Sequence, residues 1–135
     1  MSKLQIYVAV AKVENGYGWC TLLVYDKHRK EISGFSDSVN PYAVEMSAIV
    51  QGSKQLKQDN QDIDLYCSPF IGLNFSNYDK NLSTRFKKMT ESLDVYLKKH
   101  NITFCYEKSN FNSNVCLRHA AEVKVNSPDF AKNQA

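Results

Sequence analysis

Leu4-Gln-Ile-Tyr-Val-Ala-Val-Ala-Lys12, Asn15-Gly16 and Tyr17-Gly-Trp-Cys-Thr-Leu-Leu-Val-Tyr25 decide the fold. The first run is mostly apolar and rich in β-formers, as a central strand would be. Asn15 and Gly16 both tolerate positive φ and so suit a tight hairpin. The second run is again rich in β-branched and aromatic residues. Asp26-Lys-His-Arg-Lys30 reads as a polar turn, and Glu31 to Ser36 as a short third strand. Three strands joined by tight turns make an antiparallel meander.

Beyond the meander the apolar period changes from two to that of a helix. Asn40-Pro41 fits a helix start, an N-cap followed by a proline whose missing N–H costs nothing there. Val44, Met46, Ala48, Ile49 and Leu56 then predict a helix over about Tyr42 to Gln58. Ile63 to Cys67 is a short strand that ends at Ser68-Pro69, because proline cannot continue the ladder. From Leu82, the residues Phe86, Met89, Leu93, Tyr96 and Leu97 share one helical face. Ile102 to Glu107 predicts a fifth strand. Lys108 to Asn114 reads as a Ser- and Asn-rich loop, and Val115, Cys116, Ala120 and Val123 as the last helix. The order β-β-β-α-β-α-β-α predicts an α/β domain with a mixed five-stranded sheet flanked by helices. It would occupy residues 1–126, with 127–135 as a flexible tail.

The 135 residues suit one domain, with 43% hydrophobic and 23% charged residues and no need of a disulfide or metal staple. Seventeen Lys plus Arg against fourteen Asp plus Glu leave a charge of +3, too small an excess to argue nucleic-acid binding by itself. No run approaches the length of a membrane span or a signal sequence, so a cytoplasmic protein without membrane contact is expected. Cys20, Cys67, Cys105 and Cys116 are widely spaced with no CxxC pair. They read as buried thiols rather than zinc ligands.

The order and spacing of these elements resemble the ribonuclease H domain. Gly18-Trp-Cys-Thr-Leu-Leu23 looks like the family's second-strand segment, and Val44-Glu-Met-Ser-Ala-Ile49 like the start of its first helix. Cys116 and Ala120 fit its last helix, so the match runs over about residues 4 to 123. The resemblance implies cleavage of RNA in an RNA–DNA hybrid by two Mg²⁺ ions held by four carboxylates. Hard cations prefer oxygen ligands, and two of them can clamp the attacking and leaving oxygens. Glu45 matches the family's first-helix glutamate. The other three positions fall at Ala9 on the first strand, Ser68 at the end of the fourth and Leu117 on the last helix.

One carboxylate cannot hold two such ions. A catalytically inactive ribonuclease H-like module is therefore expected, without a cofactor, binding a protein partner or nucleic acid such as an RNA–DNA hybrid. A homodimer is a further option for the partner. Glu45 would be a vestigial catalytic and metal position, or an exposed first-turn acid complementing the helix dipole. The alternative is an active Mg²⁺- or Mn²⁺-dependent nuclease with a relocated carboxylate site, using Asp64 or Glu122 beside Glu45. Candidate nucleic-acid contacts are Lys87, Lys88, Lys98 and Lys99, which could track phosphates, and Asn110 and Asn112 of the Ser/Asn-rich loop. Tyr17, Trp19 and Tyr25 could stack bases, and His119 could approach the site from the last helix.

Overall fold

The first strand, β1 (Leu4–Val13), runs through the middle of a five-stranded sheet of order β3-β2-β1-β4-β5. β2 (Gly16–Tyr25) and β3 (His28–Ser36) complete the antiparallel meander. On the other side β4 (Asp62–Tyr66) pairs with β1 in parallel, and β5 (Asn101–Cys105) pairs in parallel with β4. This computed structural model describes residues 3–69, 71, 91, 93–106 and 110–123. Of the helix expected from Leu82, Glu91 and residues 93–97 are described and helical. Lys87, Lys88 and the tail from 127 lie outside the described residues.

The apolar run of β1 is explained by helices on both faces. Leu4 and Ile6 face helix α1 (Pro41–Ser53), packing with Met46, Ile49, Ile63 and Leu65. Trp19 and Ile32 meet Val44 and Ala48 of the same helix. On the opposite face Tyr7, Cys20 and Leu22 pack against Cys116 and Ala120 of helix α2 (Phe111–Glu122). Burying one large apolar side chain contributes about 1.5–3 kcal/mol. The larger cluster on the α1 face has eleven buried members, whereas the cluster on the α2 face has five, three of them the small residues Cys20, Cys116 and Ala120. Attachment of α2 therefore depends on close backbone fit more than on apolar area.

Gly18 provides that fit. A Cβ built there would stand 2.0 Å from the Ala120 carbonyl oxygen and 2.9 Å from Val123 Cβ. Across the sheet, Thr21 is fully buried and its hydroxyl donates to the Ala48 carbonyl at 2.8 Å, tying β2 to α1.

Several boundaries differ from the sequence expectation. β3 starts at His28 rather than Glu31, because Asp26 takes φ 55° and closes a two-residue turn. The polar residues His28 to Lys30 are then exposed strand residues paired with β2. α1 ends at Ser53 rather than Gln58. The N–H groups of Gln55 and Leu56 bond the carbonyls three residues back, at Gly52 and Ser53, and Leu56 folds onto the core. Its start is as expected, with the Asn40 side chain accepting from the Tyr42 and Ala43 N–H groups and proline in the first turn.

Gly18→Ala should loosen α2 from the sheet and lower unfolding free energy by about 1–3 kcal/mol or more, as overpacking does. Urea denaturation measures this, and an unchanged midpoint would contradict the close-contact account.

Candidate functional site

A cleft of about 360 Å³ opens between the middle of β1, the first turns of α1, the end of β4 and α2. Ala9, Glu45, Ser68 and Leu117 all line it. The four positions picked out along the sequence thus converge in space, although they come from four different elements. Among the described residues lining the cleft, Glu45 is the one carboxylate.

Glu45 is not the exposed first-turn acid of the simpler expectation. It sits one turn further into α1 and is only 8% exposed. A buried carboxylate is costly unless its oxygens are hydrogen-bonded. Ser68 supplies two such bonds, its N–H donating to Oε2 at 3.2 Å and its hydroxyl to Oε1 at 2.5 Å. The same hydroxyl accepts from the Ile71 N–H at 3.4 Å. Serine at this position therefore joins α1 to the end of β4 through charge-assisted bonds.

The rest of the cleft is apolar or aromatic. Ala9 presents a methyl group and Leu117, half exposed, an isobutyl group. Tyr42 and Tyr66 also line it. Tyr66 stacks on Tyr7 with ring centroids 4.3 Å apart and an interplanar angle of 14°. Burial, then the charge of Tyr7, pushes the Tyr66 hydroxyl up to about 12. The sequence reading missed both cleft tyrosines. Their signal was adjacency, since Tyr42 follows the helix-starting proline and Tyr66 lies two residues before Ser68.

Other candidates are placed differently from expectation. Asp64, a proposed replacement ligand, pairs with Lys3 Nζ at 2.8 Å, and neither it nor Glu122 lines the cleft. Asn110 and Asn112 are not loop residues. Asn110 is the N-cap of α2, accepting from the Ser113 N–H at 2.8 Å, and Asn112, in its first turn, accepts from Arg29 at 2.8 Å. The helix starts earlier than the apolar pattern suggested because this cap satisfies an otherwise unpaired N–H. Lys98 and Lys99 lie in the turn after the described helix; Lys98 pairs with Asp94 at 2.7 Å and Lys99 lies over the Tyr96 ring. Trp19 is 1% exposed, a core residue that cannot stack a base, whereas Tyr25 is exposed. His119 pairs with Glu31 of β3 instead of entering the cleft.

Two measurements test this geometry. Ser68→Ala leaves the buried Glu45 carboxylate short of a hydroxyl donor and should cost about 1.5–3 kcal/mol, the range for hydrogen bonds to charged groups. Chemical denaturation reads that loss, and no change would mean the carboxylate is solvated. Tyr66 ionises more readily in the unfolded chain than in the fold, so its contribution to stability is complete below about pH 10 and lost as pH rises through about 12. Ultraviolet titration should show one late tyrosinate phase that Tyr66→Phe removes.

No protein-family model matches the chain. Among curated proteins, it is 27% identical over 119 residues to a ribonuclease H of Caldicellulosiruptor saccharolyticus, covering 77% of this chain and 81% of that protein. It is 28% identical over 127 residues to a ribonuclease H of Thermoanaerobacter pseudethanolicus, covering 82% and 81% respectively. Among solved structures, the N-terminal ribonuclease H domain of a Mycobacterium tuberculosis protein superposes with a TM-score of 0.68 at 11% identity, covering 89% of this chain and 94% of that one. A ribonuclease H1 isolated from compost, solved with an RNA/DNA hybrid, superposes at 0.66 with 12% identity, covering 89% and 97%. The mixed sheet, its flanking helices and these likenesses agree: the chain has a ribonuclease H-like fold.

Proposed function

We propose that this protein is a catalytically inactive ribonuclease H-like module that binds nucleic acid, with an RNA–DNA hybrid the first substrate class to test. The observation that carries the reading is the Glu45–Ser68 pair in the cleft. Two-ion phosphodiester cleavage needs several carboxylate oxygens converging on the metals. Here the methyl of Ala9 and the isobutyl of Leu117 offer no lone pair, and both Glu45 oxygens accept bonds from Ser68. This donor set does not fit a pair of Mg²⁺ or Mn²⁺ ions, and no hydrolytic step is assigned to it.

The fold is shared with a ribonuclease H1 solved in complex with an RNA/DNA hybrid, which supports nucleic acid as the partner class. The charge of +3 fits a modest electrostatic contribution. Lys87, Lys88, Lys98 and Lys99 are the proposed phosphate contacts. The Lys98 side chain is 77% exposed, so an exposed ion pair with Asp94 costs little to exchange for phosphate.

A second reading is favoured by a different observation. Phe111 is 74% exposed and Leu117 50% exposed, both on α2. A protein partner, or a second copy of the chain, would remove that apolar surface from water.

A cleavage assay on an RNA–DNA hybrid with Mg²⁺ or Mn²⁺ should give no product above a Glu45→Ala control, and Glu45-dependent cutting would overturn the inactive assignment. Gel shifts should show hybrid binding that weakens with salt. If about three phosphates are contacted, affinity falls roughly fortyfold between about 50 and 200 mM salt. Lys98→Ala with Lys99→Ala should flatten that dependence. Binding that never appears, alongside salt-insensitive self-association, would favour the protein-partner reading.

A further inference from the structure

On the α2 face of the sheet, a second group of side chains converges, none of them lining the cleft. The Cys20 thiol, a Glu31 carboxylate oxygen and a His119 ring nitrogen all lie within 4.8 Å of one another. Each comes from a different element. Cys20 is on β2 and Glu31 on β3, where Glu31 pairs with Leu22, two residues along from Cys20 and on the same face. His119 is on α2, one turn beyond Cys116. His119 Nδ1 already meets Glu31 Oε1 at 2.5 Å. We propose that Cys20, Glu31 and His119 form a binding site for a zinc ion, separate from the cleft.

The donor chemistry selects the ion. One sulfur, one imidazole nitrogen and one carboxylate oxygen suit Zn²⁺, whereas Mg²⁺ and Ca²⁺ want oxygen alone. In tetrahedral zinc geometry neighbouring ligand atoms stand about 3.3–3.6 Å apart. The His119–Glu31 contact therefore needs to open by a little under an ångström, and the contacts of the Cys20 sulfur to close by up to about 1.2 Å. Cys20 is fully buried, but the His119 and Glu31 side chains are 33% and 35% exposed. They form the entry for the ion, and the fourth position faces water on that side. On binding, the Cys20 thiol releases its proton to solvent and the thiolate joins the metal.

In the metal-free protein the thiol has reason to stay protonated. Contact with the Cys116 thiol, then burial, then the neighbouring Glu31 charge all push the Cys20 thiol upward. The single S–H of Cys116 is shared between the Cys20 carbonyl at 3.1 Å and the Tyr7 carbonyl at 3.5 Å. A divalent cation reverses this balance, since a coordinating thiol is deprotonated outright. The ion would also fasten α2, which a glycine contact and a small apolar cluster hold, to β2 and β3 of the meander.

Titration of the full chain with Zn²⁺ against a chromophoric chelator should give one equivalent bound, with a rise in melting temperature. Co²⁺ should produce a thiolate-to-metal charge-transfer band. Cys20→Ser should abolish the band, and Cys20→Ser and His119→Gln should each weaken zinc at least about tenfold, on the scale of lost metal-site interactions. Cys105→Ser, on β5, and Glu45→Gln should leave both signals intact. Circular dichroism checks that each variant folds, and the half-exposed His119 makes its variant the safer of the two. Absence of stoichiometric zinc, a band that survives Cys20→Ser, or one that disappears with Cys105→Ser would overturn the proposal.

Discussion

Everything in this fold depends on β1 being covered on both faces and paired on both edges. It takes antiparallel hydrogen bonds from β2 and parallel ones from β4, and it lies between α1 and α2. A strand in that position must be largely apolar at both parities, which Leu4 to Ala11 supplies apart from Gln5. The parity also assigns chemistry. Tyr7, Ala9 and Ala11 turn towards α2, so whatever stands at position 9 meets the cleft. Alanine there makes the wall a methyl surface.

The two faces are held by different means. The α1 face has the larger apolar cluster and a buried hydroxyl bond from Thr21 to Ala48. The α2 face relies on small side chains, the glycine contact at Gly18 and thiol contacts from Cys116. Between these faces, the cleft is bridged at one edge by Glu45 and Ser68. The Glu45 carboxylate is part of the link between a helix and a strand end. Its burial makes that link structurally demanding, because an unmatched carboxylate in this setting would be costly. The pair therefore connects the stability of the fold to the chemistry its cleft supports.

Much of the architecture was legible because its signals are local. Asn15-Gly16 specifies a hairpin, Asn40-Pro41 starts a helix, and the continuous apolar character of β1 indicates a strand covered twice. Boundaries were less legible where a single backbone angle or a fold-back decides them. Asp26 at positive φ lengthens β3, and the carbonyl bonds at Gly52 and Ser53 end α1 while Leu56 still packs. The start of α2 was hidden for a similar reason. Its first turn is polar, and Asn110 acts there as a cap rather than as a loop amide.

The sequence by itself determined the element order and the central place of β1. Those properties follow from period, turn chemistry and spacing along one chain. Only the tertiary structure decided that Ala9, Glu45, Ser68 and Leu117 share a cleft, that Ser68 hydrogen-bonds Glu45, and that Cys20, Glu31 and His119 come within ligand distance. Each of those meetings joins residues far apart in the chain. Their distances are set by sheet register and by how closely each helix approaches the sheet, quantities that no local pattern encodes.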